Sequence, residues 1–309
     1  MEKLSHYTED EIKKCEALWE RFAPRKSIFD LWSFRAAFYL AYKHQPCFIV
    51  LQEGKEDVGL LPLWYEKEKD RYFWFGGWWQ EDNDFWVNDR SLVPELLALC
   101  PKRACLNSLP AAAIPSQMAG SFQPDDPKYV LDIRETKTFD EYLAGLKKER
   151  RKSIKKSLFA IENQGPRVVF NDFKNFDDLV SLSVKRFKNV KEDKNDFWYD
   201  PAWEDPRRVE AIRNTIKLAG KNYQIKMLTV MLDGKIAGVD LVAVFNDCYY
   251  ALAGGYDLEN FPGIGNYCNM LNIKDALSLG LSKVDVLQSD CGWKHRWYQE
   301  VPLWYFFKE

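Results

Sequence analysis

Apolar positions recur along the chain in two different periods. Over 8–22 they return at helical spacing, with Ile12, Leu18 and Phe22 on one stripe, and 30–42 continues the same way, which predicts two opening helices. The period then changes. Stretches 46–52, 58–66 and 71–79 are rich in branched and aromatic residues, with a Glu53-Gly54-Lys55 turn after the first, and predict a meander of three strands. A short helix over 93–100 and strands over 103–109 and 128–133 follow, separated by a loop over 110–127 that holds Pro110, Pro115, Gly120 and Pro124. Thr138 with Glu141 makes a capping box that opens one long helix, stopped by Asn163, Gly165 and Pro166. Beyond it the pattern predicts a strand (167–173), a helix (176–187), an aromatic and acidic loop (192–206) and a helix (209–218). A second meander (224–232, 235–245, 248–256), a helix (265–279) and strands over 283–288 and 303–307 complete the chain.

The two meanders resemble each other. Gly54-Lys55, Gly59 and Gly76-Gly77 in the first are echoed by Gly234-Lys235, Gly238 and Gly254-Gly255 in the second, which reads as one fold present twice, over 1–135 and 136–309. The plainer alternative is that any aromatic meander needs such turn glycines.

Composition narrows the class. The chain of 309 residues carries a net charge of −2 and is 46% hydrophobic, which excludes a disordered chain and a globally basic DNA binder. Its seven cysteines are scattered without a C-x-x-C pair, and no apolar leader precedes the first helix, so a reducing, cytoplasmic compartment is expected. No stretch approaches the ~18 uncharged apolar residues of a membrane span. With only His6, His44 and His295, and no zinc spacing, no metal is expected.

Three groups carry candidate chemistry. The loop Asn260-Phe-Pro-Gly263-Ile-Gly265-Asn266 stands where a helix begins, and small residues there leave the free amides open to an anion such as a diphosphate; the alternative is a simple turn. Lys147, Lys148, Arg150, Arg151, Lys152, Lys155 and Lys156 face one acid, Glu149, and form either a solvated helix face or a patch for phosphate, an anionic sugar, a lipid head group or tRNA. Tyr142, Leu143, Leu146, Ile154, Leu158 and Ile161 would then be the packed side. Asp285 and Lys294 make either a structural ion pair or a proton acceptor and a fixed positive charge. Cys291 near His295 is a weak nucleophile signal. Trp74, Trp78, Trp79, Phe85 and Trp86 line a groove or fill a core.

The spacing N-x-x-G-x-G from Asn260 to Gly265, after a strand and before a helix, resembles the acyl-CoA signature of GNAT acetyltransferases, with Asn260 where Gln or Arg is usual. The run from Asp285 to Trp297 resembles the closing motif of CelD/BcsL-type acetyltransferases, relatives of the FemAB peptidyltransferases. Trp293 stands for a Tyr and Ser289 for a Gly, while the nine residues from Asp285 to Lys294 are kept. This resemblance implies an α/β fold of two tandem GNAT-like domains, each a mixed sheet flanked by helices, with the donor site in the second. It implies an N-acyltransferase moving an acetyl-like group from acyl-CoA to an amine of a sugar, lipid or peptide precursor. An aminoacyl-tRNA-dependent FemAB-like transferase and a non-catalytic binding protein of polysaccharide assembly are the alternatives. The implied site comprises Asp285 and Lys294 as catalytic groups. Asn260, Gly263, Gly265, Asn266, Gly254 and Gly255 would hold the acyl-CoA, and Arg150, Arg151, Lys152, Tyr256 and Trp293 the acceptor.

Overall fold

The structure, a computed structural model, describes residues 5–9, 11–187 and 202–309. The chain divides into two compact units, one of residues 1–127, 210–222 and 301–309, the other of 128–209 and 223–300.

The first unit contains β1 (Ser5–Glu9), α1 (Ile12–Phe22), α2 (Trp32–Tyr42), β2 (Gln45–Glu53), β3 (Glu56–Glu66), β4 (Arg71–Trp74), β5 (Trp86–Val87), α3 (Val93–Leu99) and β6 (Ala104–Pro110). Its strands lie in the order β1-β2-β3-β4-β6, with β5 paired to β3. Strand β3 is buried without a break from Val58 to Trp64, as a central strand covered on both faces must be. Trp19 of α1 meets Trp86 edge-on at 4.5 Å, and Trp32 stacks on Phe75 at 5.1 Å. Trp74, Phe85 and Trp86 are buried too, so these aromatics fill a core rather than line a groove. Arg35 lies among them. It donates to the carbonyls of Phe29 (2.6 Å) and Phe75 (2.9 Å) and to Asn83 (2.7 Å), and burial pulls its pKa down to about 9.

The second unit contains the end of β7 (Phe122–Asp132), then α4 (Phe139–Gly145), α5 (Lys148–Glu162), β8 (Arg167–Phe170), α6 (Phe176–Phe187), the start of α7 (Pro206–Lys217), β9 (Gln224–Leu232), β10 (Lys235–Phe245), β11 (Cys248–Tyr256), α8 (Ile264–Ser278) and β12 (Lys283–Gln288). Its strand order is β7-β12-β11-β10-β9-β8, antiparallel throughout except for the parallel pair β11 and β12. Neighbouring residues of a strand face opposite sides. Gly255 of β11 abuts Leu179 and Leu182 of α6, while Gly238 of β10 abuts Ile264 and Cys268 of α8, so the two helices cover opposite faces of this sheet. Ile154, Leu158 and Ile161 of α5 share the α8 core with Tyr142 and Leu143. The last strand, β13 (Gln299–Lys308), pairs antiparallel with β6.

Four expectations are corrected. Residues 5–9 form a strand on β2 and the helix begins only at Ile12. Strand β4 stops at Trp74 instead of 79, because the chain turns away at Gly76 with φ +97°. Residues 122–127 belong to β7, not to a loop. The single helix over 138–163 is two: Leu146 and Lys147 are extended, with ψ of 151° and 142°, and Leu146 packs against the core. Residues 192–201 of the expected acidic loop lie outside the described residues. Among the described residues no helix is long and apolar enough to cross a membrane, and no cluster of three or more His, Cys, Asp or Glu is placed to hold a metal ion.

Candidate active site

Strands β11 and β12 stay together for only three pairs, Cys248 to Tyr250 against Lys283 to Asp285. They part because β12 bends: Leu287 and Ser289 adopt φ of +65° and +66°, the left-handed region that side chains other than glycine seldom enter. Both groups read from sequence as catalytic hold this bend. The fully buried Asp285 accepts the Leu287 amide at 3.0 Å and pairs with Lys128 of β7 at 2.8 Å. Lys294 donates to the carbonyls of Leu287 (3.1 Å) and Gln288 (2.6 Å). Asp290 closes the turn between them by accepting the amides of Trp293 (3.0 Å) and Lys294 (2.8 Å), and its other oxygen meets the His295 ring. Cys291 is exposed while His295 is engaged with Asp290. The Trp293 indole stands edge-on to Tyr298 at 6.1 Å.

Past Tyr250, β11 keeps β10 on one side, Ala251 to Tyr256 pairing with Val242 to Gly238, while β12 no longer pairs with it. Six residues of backbone thus present one edge. The two glycines on this stretch are required by crowding. A Cβ on Gly254 would stand 2.5 Å from the Asp240 carboxylate, and one on Gly255 would stand 2.6 Å from the Leu179 carbonyl of α6. Tyr256 donates to Asp240 at 2.5 Å, and the Arg186 guanidinium lies 5.5 Å from its ring.

The loop from β11 to α8 is held at its start. Asn260 donates its side-chain amide to Asp257 at 2.6 Å, and that bond leads the effects that hold the Asp257 carboxyl below its usual range. Asn260 therefore fastens the loop. Gly263, at φ +97°, precedes α8, and a Cβ there would meet Ser157 Oγ of α5 at 2.9 Å. A Cβ on Gly265 would crowd nothing, its nearest neighbour being Tyr256 in ordinary contact at 3.7 Å. Asn266 donates to Ser157 at 3.0 Å.

Residues 148–295 match the model of the acetyltransferase (GNAT) domain. That match marks the protein as an acyltransferase. A protein of unknown function from Bacteroides thetaiotaomicron is similar in fold, at 13% identity and TM-score 0.61 over 99% of this chain and 100% of its own. FemX is similar at 11% identity and TM-score 0.59 over 99% and 97% of the two chains. A tandem GNAT protein from the clavulanic acid biosynthesis pathway matches at 12% identity and TM-score 0.54 over 98% of each chain. These likenesses establish the fold, two tandem GNAT-like domains of mixed sheet and flanking helices. No curated protein sequence matches the chain.

The second unit has polar groups that sequence reading passed over. Helix α8 carries Asn266, Asn269, Asn272 and Asp275 at intervals of three, and each is held by a neighbouring element, the last two sharing the Tyr249 hydroxyl. Asn266 meets Ser157, and Asn269 accepts from Tyr298. Asn272 donates to Asp240 at 2.7 Å and accepts from Tyr249 at 3.2 Å, while Asp275 accepts from Tyr249 at 3.1 Å and pairs with Lys226. Burial raises the Asp240 carboxyl to about 6, against the two donors it accepts from. Burial, then the nearby Asp240 charge, pushes the Tyr256 hydroxyl well above its ordinary value. The regular spacing of three was the available signal.

The basic helix also differs in detail from its reading. Arg150 donates to the His295 carbonyl and Arg151 to the Ala144 carbonyl, both at 3.1 Å, and both side chains are half-buried. Lys148, Lys152, Lys155 and Lys156 are exposed.

Proposed function

We propose that the domain from about residue 136 takes an acyl-CoA thioester and moves its acyl group, an acetyl-like one, to an amine of a sugar, lipid or peptide precursor, as a CelD/BcsL-type enzyme. The observation that carries this reading is the one-sided edge of β11 from Ala251 to Tyr256, left by the bend of β12 beside the start of α8. A pantetheine amide would add to that edge as a further strand does, and a β11 amide would hold the thioester carbonyl oxygen as the amine attacks. The diphosphate would lie on the first amides of α8, beside Gly265, which has no side chain to obstruct them. Tyr256, held by Asp240, and Trp293 would contact the acceptor. In this reading Asp285 and Lys294 are positioning residues, since both bind the backbone of the bend that opens the edge.

Titration of acetyl-CoA into the full chain tests it. Gly265→Ala should weaken affinity at least about tenfold, by narrowing the approach to the helix amides, while thermal stability stays within about 1 kcal/mol because the added Cβ comes no nearer than 3.7 Å to Tyr256. Unchanged affinity in the folded variant, or no affinity in the parent, defeats the reading. Turnover that disappears after ribonuclease treatment moves the donor to aminoacyl-tRNA.

A further inference from the structure

The outward face of α5 is composed differently from its flanks. Ile154, Leu158 and Ile161 are buried, and at about 100° per residue Lys148, Lys152, Lys155, Lys156 and Phe159 stand roughly 100–200° round the axis from Ile154, within about a third of the circumference. Phe159 is 63% exposed, the highest value among the large exposed apolar residues described. The two acids of the helix, Glu149 and Glu162, stand at the edges of this stripe, and the two arginines have turned toward protein carbonyls.

We propose that this stripe docks the protein, in the plane of the interface, on a bilayer containing anionic lipid. Arginine's planar fork is the group suited to clamping individual phosphates, and here both arginines are spent on the carbonyls of His295 and Ala144. What faces solvent is a row of lysines, point charges on flexible stems that suit a diffuse and fluid negative surface. Phe159 supplies the apolar wedge that such a helix inserts between head groups, a role for which a solvated, phosphate-neutral face has no use. The chain as a whole carries a charge of −2, so attraction to the bilayer has to be local, and a row of lysines without an intervening acid provides it. This inference does not depend on the donor or acceptor of the reaction.

Co-sedimentation of the full chain with vesicles decides it, using one part phosphatidylglycerol to two of phosphatidylcholine against pure phosphatidylcholine, each at low and at high salt. The protein should pellet with the anionic vesicles alone, and release as salt rises. Replacing Lys152, Lys155 and Lys156 together by Gln should lower partitioning about a hundredfold, near fivefold for each lysine, whereas replacing all three by Arg should retain it. Phe159→Ser should lower it about tenfold with the charges intact. All four sites are exposed, so the melting temperature of each variant should match the parent. Equal binding to neutral vesicles, no binding to anionic ones, or binding indifferent to the lysine and Phe159 changes overturns the proposal. Retention of tRNA with the same lysine dependence, and no vesicle binding, would overturn it in favour of a nucleic acid.

Discussion

The meander of the first unit and that of the second share a frame and differ where it matters chemically. In the first, Glu53 pairs with Glu56, Gln52 with Asp57, and then Leu51 with Gly59, skipping Val58. In the second, Leu232 pairs with Lys235, Met231 with Ile236, and then Val230 with Gly238, skipping Ala237. A bulge stands at the same distance from the turn in both, followed by a glycine whose Cβ would lie 2.9 Å from Val87 in one unit and 2.9 Å from Cys268 in the other. Two residues on, the likeness ends: Leu61 occupies the position that Asp240 occupies in the second unit. Strand β4 runs four residues before Gly76-Gly77 turns it aside, and it meets β6 at a single parallel pair, Tyr72 with Ala104. Strand β11 runs nine residues, keeps Gly254-Gly255 inside the strand, and leads to a helix of fifteen residues where the first unit has one of seven. A repeated hairpin frame was extended into an open edge in one copy and closed in the other.

The comparison can be broken most forcefully at the bend. Asp285→Asn leaves the Lys128 ammonium buried beside a neutral amide and should cost about 3–5 kcal/mol in urea unfolding, while an effect under about 1 kcal/mol would mean the pair does not hold β12 apart from β11. Next is Asp240, which has no titrating counterpart at Leu61. Its folded pKa of about 6 stands above the unfolded 3.8, so the folded state binds the proton more tightly. The stability this contributes is present below about pH 4 and is lost as pH rises through about 6. Relative to Asp240→Asn, the parent should lose about 2 to 3 kcal/mol between pH 4 and pH 7, and a difference that stays flat with pH contradicts the assignment. The smallest effect tests the shared frame itself. Gly59→Ala and Gly238→Ala should each cost about 1–2 kcal/mol, the first by crowding Val87 and the second by crowding Cys268, Ile264 and Tyr256, and a cost at only one of them would separate the two hairpins.

The second meander was legible to the residue because its strands are uninterrupted branched and aromatic runs between short turns. Strand β1 was not, since its partner β2 lies some forty residues away and its own five residues carry no strand pattern. The break between α4 and α5 was hidden for a related reason: Leu146 favours helix locally and is extended because the core takes its side chain. At the site, the glycine loop before α8 was visible from spacing alone. The direction in which Asp285 and Lys294 point was not, because it follows from the left-handed Leu287, a conformation that leucine does not advertise. Charge counting likewise grouped seven bases as one patch, where the two arginines bind backbone carbonyls and the lysines of α5 face solvent.

The four polar residues of α8 have a mechanical consequence. Three residues advance a helix by about 300°, so each successive member of the series stands about 60° further round the axis than the last. A helix seated by apolar contacts alone can roll a little in its groove at small cost, because one methyl group replaces another. Helix α8 is keyed at four angles, by Ser157, Tyr298, the pair of Asp240 and Tyr249, and Lys226. Any roll strands a buried amide or carboxylate. The first amides of the helix are thus aimed from its far end, and a substitution at Asp275, three turns from Gly263, should tilt the place where an anion would rest.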